Sequence, residues 1–410
     1  MMGHIRNAMN DYIVLSHTSA LWYHRLAAAG ILSPANSSGG FEPAGASAGA
    51  RAISQSGVDK YFTSVSTADL AARDIYVKAE VEGLLREFQP KDPMEALDYV
   101  ANHPRAIELP RPLELLVGEA DRRVSRDGVV SHLMTGPCPA GAIMQAGGRL
   151  GVASPELVVF QLAPILEDVH LVAALIMELA GKYALLPPGL VSVARYLRDG
   201  KTPFDKGRLL GDGYVDAVPM SAVGNIAAYL EEAPHLAGAK LVRKALAVCG
   251  NGSESPFETA VDVSLQLPQC YGGAGVGKGK VNEPIVFSDV ERKIAIAGWA
   301  RADLLFTAKD GRRIDIEPGG AFGHATKRGM DRDRRRRHAL EHAKVEVIDV
   351  TWDEFSHEET WDALCRRVNY HLGKSPRKKS EKTMAKWRRV HDDFCSFDCL
   401  RVFPPSEWRR

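Results

Sequence analysis

The sequence has no Cys-x-x-Cys pair. Its six cysteines, Cys138, Cys249, Cys270, Cys365, Cys395 and Cys399, are scattered along 410 residues. That usage fits a reducing interior better than a disulfide-stapled scaffold, so a cytoplasmic location is expected. A long uninterrupted apolar run is also missing. The most apolar stretch, residues 156–180, is broken by Glu167, Asp168 and His170, and the opening MMGHIRNAMNDY has no apolar targeting core. Neither a membrane span nor a targeting segment is therefore expected. Nor is there an excess of one charge: 25% of residues are charged, yet the formal net charge is +1. The overall balance does not announce a nucleic-acid partner, so any such signal must lie in local clusters. No internal repeat is visible.

At this length the chain is expected to form two or three domains, each with its own core. Ile13, Val14 and Leu15 read as a short strand, followed by a helix that Ser16 or Thr18 would cap. A Ser/Gly/Ala/Pro tract then opens a mobile insertion over about 31–110, with a helical patch from Ala68 to Phe88. RPLELLVGEADRR and GVVSHLM read as strands. SPELVVFQLAPILEDVHLVAALIMELAG reads as helical, with Ser154 as cap and Pro155 in the first position. Residues 1–240 are thus a mixed α/β region. A second capped helix over 256–266 follows, with Ser255, Pro256 and a capping-box partner in Glu258. After it come a Gly-rich loop (272–280), strands PIVFS, KIAIAG, RADLLFT and RRIDIE, a basic helix, strand VEVIDV and a helix from about Glu358. From residue 373 the tail carries eleven Lys/Arg against five Asp/Glu, with Trp387 and Trp408 interleaved. It reads as a basic arm or a solvated helix.

Two loops invite chemistry. YGGAGVGKGK places Gly272, Gly277 and Lys278 as a phosphate-binding loop would, but Gly279 stands where Mg²⁺ needs a hydroxyl. A helix precedes this loop and a strand beginning at Pro284 follows it, the reverse of the required order. It reads as a connection whose Lys278 and Lys280 can meet a polymer phosphate. In RADLLFTAKDGRRIDIE, Lys309, Asp310 and Gly311 suit a three-residue hairpin loop, which pairs Ala308 with Arg312 and Asp303 with Glu317. Asp303, Asp315 and Glu317 then share one face, opposite Ala302, Leu304, Phe306, Ile314 and Ile316. Clustered carboxylates repel unless a cation joins them, and an all-oxygen set favours Mg²⁺ or Mn²⁺. The alternative is a solvated acidic face.

The next helix carries Arg332, Arg334, Arg335, Arg336 and Arg337, suited to a nucleic-acid backbone or, alternatively, to local pairing with Asp331 and Asp333. His391, Cys395 and Cys399 recur at intervals of four, but with no fourth ligand they read as ordinary helix residues. Cys138 and Cys249 have no histidine close in sequence.

The order Glu258, Asp303, Asp315, Glu317, His324, Asp333, Arg336, Leu340, Thr351 resembles the PD-(D/E)xK nuclease superfamily, in the branch similar to very-short-patch-repair endonucleases, across about 253–355. The name-giving lysine is absent, and E-x-D becomes D-x-E. This resemblance implies a restriction-endonuclease-like domain over 250–372, a mixed sheet flanked by helices. It implies metal ligands at Asp303 and Glu317, Asp315 as ligand or water-orienting group, His324 as acid or base, and Glu258 as a further catalytic carboxylate. VLSHTSALWYHRL and LGVASPELVVFQLA are similar to segments of AbiEi-type antitoxins, implying a possible partner protein of a defence or toxin–antitoxin system. Only about a dozen residues precede the first segment, so the DNA-reading wing of that family is expected to be absent or truncated. The expectation is Mg²⁺-dependent hydrolysis of DNA phosphodiesters, or alternatively a non-catalytic DNA-binding or antitoxin-like regulator.

Overall fold

A computed structural model of the protein describes residues 13–29, 112–124, 129–134, 136–147, 150–185, 214–319, 327–374 and 379–396. The insertion expected at about 31–110, His324, Cys399 and Trp408 lie outside them. The chain is α/β with mixed sheets and forms two compact units: 1–167 with 183–243 and 401–410, and 168–182 with 244–400.

The first unit is built on a five-stranded sheet of order β3-β2-β1-β5-β4. β1 (Ile13–Leu15) pairs in parallel with β5 (Leu150–Ala153) and antiparallel with β2 (Leu113–Val117). β3 (Val129–Leu133) runs parallel to β2, and β4 (Ile143–Gly147) antiparallel to β5. The central strand is apolar on both faces: Val14 and Leu15 are buried, as expected of a strand covered on each side. α1 (His17–Ala28) follows β1 without a loop and buries Leu21, Trp22 and Leu26. α2 (Pro155–Leu166) starts as its sequence predicts, with Ser154 Oγ accepting from Leu157 N at 3.3 Å.

The apolar stretch expected to be one helical segment is broken. Glu167 takes a left-handed conformation (φ 60°), its N–H donates back to the Ala163 carbonyl, and α2 stops there. α3 (Val169–Leu179) then begins inside the second unit with every residue buried. The first unit is completed by the β6 (Tyr183–Leu185) and β7 (Tyr214–Asp216) pair and α4 (Val223–Glu232). α5 (Ala239–Leu246) spans the boundary at 243/244.

In the second unit α6 (Pro256–Gln266) leads through the Gly-rich loop to a four-stranded sheet of order β11-β10-β9-β8. β8 (Lys280–Val286), β9 (Trp299–Thr307) and β10 (Arg313–Gly319) are antiparallel neighbours, and β11 (Val345–Thr351) runs parallel to β10. The β9–β10 hairpin has the expected three-residue loop. Gly311 supplies φ 86°, Ala308 N donates to Arg312 O at 2.8 Å, and Thr307 to Leu304 pair with Arg313 to Ile316. Ala302, Leu304, Phe306, Ile314 and Ile316 are all buried. The opposite face is covered too, by α8 (Lys327–His342), whose Ala339 and Leu340 join a core with Leu305 and Val345. A solvated acidic hairpin is therefore not what forms.

Three local expectations are corrected. KIAIAG is not a strand: Ser288 and Glu291 form a capping box that opens α7 (Asp289–Ala295), and Ile296 ends it at φ 55°. The strand expected from Pro284 begins earlier, at Lys280. The described part of the basic tail is a helix that is not wholly solvated. After α9 (Trp352–Ser356) and α10 (Glu358–His371), α11 (Glu381–Ser396) buries Trp387, Val390, His391 and Phe394 within the second unit.

Candidate functional site

The β9–β10 pairing ends at Leu304 with Ile316; continued by one step, the same register turns Asp303 toward Glu317, whose charge acts on it. Alternation puts Asp315 on the same face, under α8. Asp315 has no exposed surface, and among the described residues neither of its carboxylate oxygens accepts a hydrogen bond. Burial and the charge of Glu317 push its acid well above the ordinary carboxylate range, where the protonated group can donate to Glu317. Arg336 of α8 enters this group from above. Its Nη2 pairs with Glu317 Oε1, lies 3.7 Å from Asp315 Oδ2 and donates to the Arg301 carbonyl at 2.7 Å.

Glu258 approaches from α6. Ser255 caps that helix by accepting from Glu258 N at 3.1 Å, but the side chain of Glu258 reaches one residue further back than a capping box requires, accepting from Glu254 N at 2.7 Å. Desolvation, with the nearby charges of Asp303 and Glu254, raises its acid to about 7. Asp303 is raised to about 6 by burial and by Glu317, against the opposing charges of Arg301 and Arg336. Arg301 forks onto Glu254 at 2.6 and 3.2 Å and stands 3.9 Å from Asp303. Glu258, Asp303, Asp315 and Glu317 thus act on one another's charge, with Arg301 and Arg336 among them, but no three of the four offer ligand atoms within 4.8 Å of one another.

The basic residues divide. Arg336 points inward, and Arg337 forks onto Asp349 at 2.6 and 2.7 Å, so neither presents an unpaired guanidinium at the surface. Arg334 pairs with Asp331 at 3.0 Å, whereas Arg332 and Arg335 are exposed. Lys278 and Lys280 are exposed on the Gly-rich connection, Lys280 with Glu283 at 2.6 Å. Gly279 is held by Gln266, whose Oε1 accepts its N–H at 2.7 Å. A Cβ there would sit 2.7 Å from Leu304 Cδ1, so the hydroxyl of a phosphate loop has no room.

Of the soft-metal pattern, His391 and Cys395 lie on α11 and Cys399 lies outside the described residues; His391 Nε2 is 2.8 Å from the Phe355 carbonyl and 3.7 Å from Cys395 Sγ, and burial raises the Cys395 thiol to about 11. Burial likewise raises the Cys138 and Cys249 thiols, so neither is an activated nucleophile.

Among the described residues one group of His, Cys, Asp or Glu side chains offers three ligand atoms within 4.8 Å of one another: His17, Glu114 and His132 in the first unit. Sequence reasoning passed over it. The three lie in segments read as a helix start and two strands, separated by 97 and 18 residues, and only the strand pairing brings them together. Searches against protein-family models, curated proteins and solved structures each returned no match. No helix among the described residues is long and apolar enough to cross a membrane.

Proposed function

We propose that the second unit carries a restriction-endonuclease-like site for metal-dependent hydrolysis of DNA phosphodiesters. The observation that carries this reading is Asp315, a fully buried carboxyl whose oxygens accept no hydrogen bond among the described residues and whose charge interacts with those of Glu317 and Asp303. A buried acid in that state fits a site where a cation completes the coordination, and all-oxygen donors suit Mg²⁺ or Mn²⁺. Asp303 and Glu317 would hold the ion, with Asp315 beneath them. When bound, it supplies positive charge that polarises a phosphoryl oxygen and makes water a better nucleophile. Glu258, raised to about 7, takes up the proton lost by the attacking water at a carboxylate oxygen. Exposed Lys278, Lys280, Arg332 and Arg335 bind the polymer backbone, which confers affinity without sequence preference.

One observation favours a second reading. The Arg336 guanidinium already pairs with Glu317 and Asp315 and can act as the resident cation of a catalytically silent DNA-binding unit. A cleavage assay on plasmid and linear DNA with Mg²⁺ or Mn²⁺, comparing wild type with Asp303→Asn and Glu317→Gln, separates the two. Cleavage is expected in the wild type and a loss of about 100-fold or more in each variant. No wild-type cleavage leaves the silent reading, and cleavage indifferent to both substitutions removes this site.

A further inference from the structure

We propose that His17, Glu114 and His132 form a binding site for a divalent transition-metal ion of the zinc class, separate from the acidic group of the second unit. The ligands come from the first residue of α1, from β2 and from β3, with ligand atoms within 4.8 Å of one another. β2 and β3 pair in parallel with Glu114 beside Val130 and Leu116 beside His132, which sets Glu114 and His132 on one face.

The backbone around the group is fixed on both sides. Ser16 N donates to the Glu114 carbonyl at 2.9 Å, and Glu114 N donates to Ser19 Oγ at 2.9 Å. These bonds stitch the β1–α1 junction to the strand that carries the carboxylate. His17 is held at φ 47°, a strained conformation for a non-glycine residue that persists where surrounding contacts enforce it. Its N–H donates to Gln161 Oε1 at 2.9 Å, and its ring lies over that of His132 with centroids 3.7 Å apart.

The surrounding bonds also leave metal-binding atoms available. His17 Nδ1 lies 3.0 Å from Ser16 Oγ, which orients the imidazole. Glu114 Oε2 accepts from Thr18 N at 2.8 Å and from the Thr18 hydroxyl, leaving Oε1 to face His132 Nε2 at 3.1 Å. Glu114 is buried, while the His132 side chain keeps 29% of its surface exposed and offers a way in.

Two imidazoles and one carboxylate suit Zn²⁺, Co²⁺ or Ni²⁺, with a coordination position left open, whereas Mg²⁺ prefers oxygen. The rings are inclined at 27° in the stacked pair. An ion about 2.0–2.1 Å from a nitrogen of each would tilt them further apart.

The metal-free full-length protein is titrated with Zn²⁺ by calorimetry and with Co²⁺ by visible absorption, and the Zn²⁺-loaded wild type is measured by X-ray absorption. We expect one equivalent bound at this site, two imidazoles in the coordination shell, and affinity weakened about 100-fold or more in His132→Ala and Glu114→Gln. Asp303→Asn is expected to leave this binding unchanged. No Zn²⁺ binding to the wild type, or a shell without imidazole, overturns the proposal, as does affinity unchanged in both ligand variants. The absorption measurement needs no substitution, so a variant that fails to fold still leaves a decisive result. Nuclease activity reports on the other unit, so its presence or absence does not bear on this outcome.

Discussion

Asp262 shows how one buried acid makes stability depend on pH. It is 3% exposed on α6, one oxygen accepts from Gln266 Nε2, and the other has no hydrogen bond among the described residues. Burial, aided by the charge of Glu258, raises the acid to about 7 against the opposing Gln266 bond. In the unfolded chain the same group ionises near about 4. Between those values the folded protein holds a proton that the unfolded chain has released. The resulting stability is complete below about pH 4 and is lost as pH rises through about 7. Glu258, raised to about 7, and Asp303, raised to about 6, act in the same direction. The second unit is therefore expected to melt at a higher temperature at pH 5 than at pH 8. Asp262→Asn should stabilise it at pH 8 by about 1–3 kcal/mol and flatten the slope. Thermal denaturation across that range is the measurement, and a melting temperature indifferent to pH in the wild type would contradict the buried-acid account. Nothing in the sequence marks Asp262, because its distinction is the loss of water, which neighbouring elements impose.

At the scale of elements, what was readable was local. The hairpin around Gly311 followed from loop length, glycine conformation and alternation, all of which act within 20 residues. The cap at Ser255 was equally local, while the exact reach of Glu258 depended on the turn before the helix. KIAIAG misled because Ile294 and Ile296 alternate as in a strand, whereas the capping box at Ser288 and Glu291 commits the chain to a helix. The Gly-rich connection gives a direct test. Gly279→Ser restores the missing hydroxyl of the phosphate-loop pattern but brings Cβ to 2.7 Å from Leu304 Cδ1 and 2.9 Å from Phe306 Cε1. Overpacking of this kind costs about 1–3 kcal/mol. The variant is expected to lower the melting temperature and to gain no ATP or GTP binding; unchanged stability or measurable nucleotide affinity would overturn the packing argument.

At the scale of the whole molecule, the second unit is discontinuous in sequence. α3 belongs to it, although residues 183–243 return to the first unit. All eleven residues of α3 are buried, so a fragment 244–400 lacks part of its own core and is expected to lose the cooperative thermal transition of the full-length protein, read by circular dichroism. A sharp transition in that fragment would show that α3 is dispensable. By itself the sequence determined the α/β character, most element positions, the hairpin register and the set of acids on its face. These depend on periodicity, turn chemistry and capping, which act over a few residues. The tertiary structure decided the burial of Asp315, the inward turn of Arg336, the break at Glu167 and the meeting of His17 with Glu114 and His132. Each depends on which surfaces exclude water and which distant strands become neighbours, and neither is encoded in the spacing of residues along the chain.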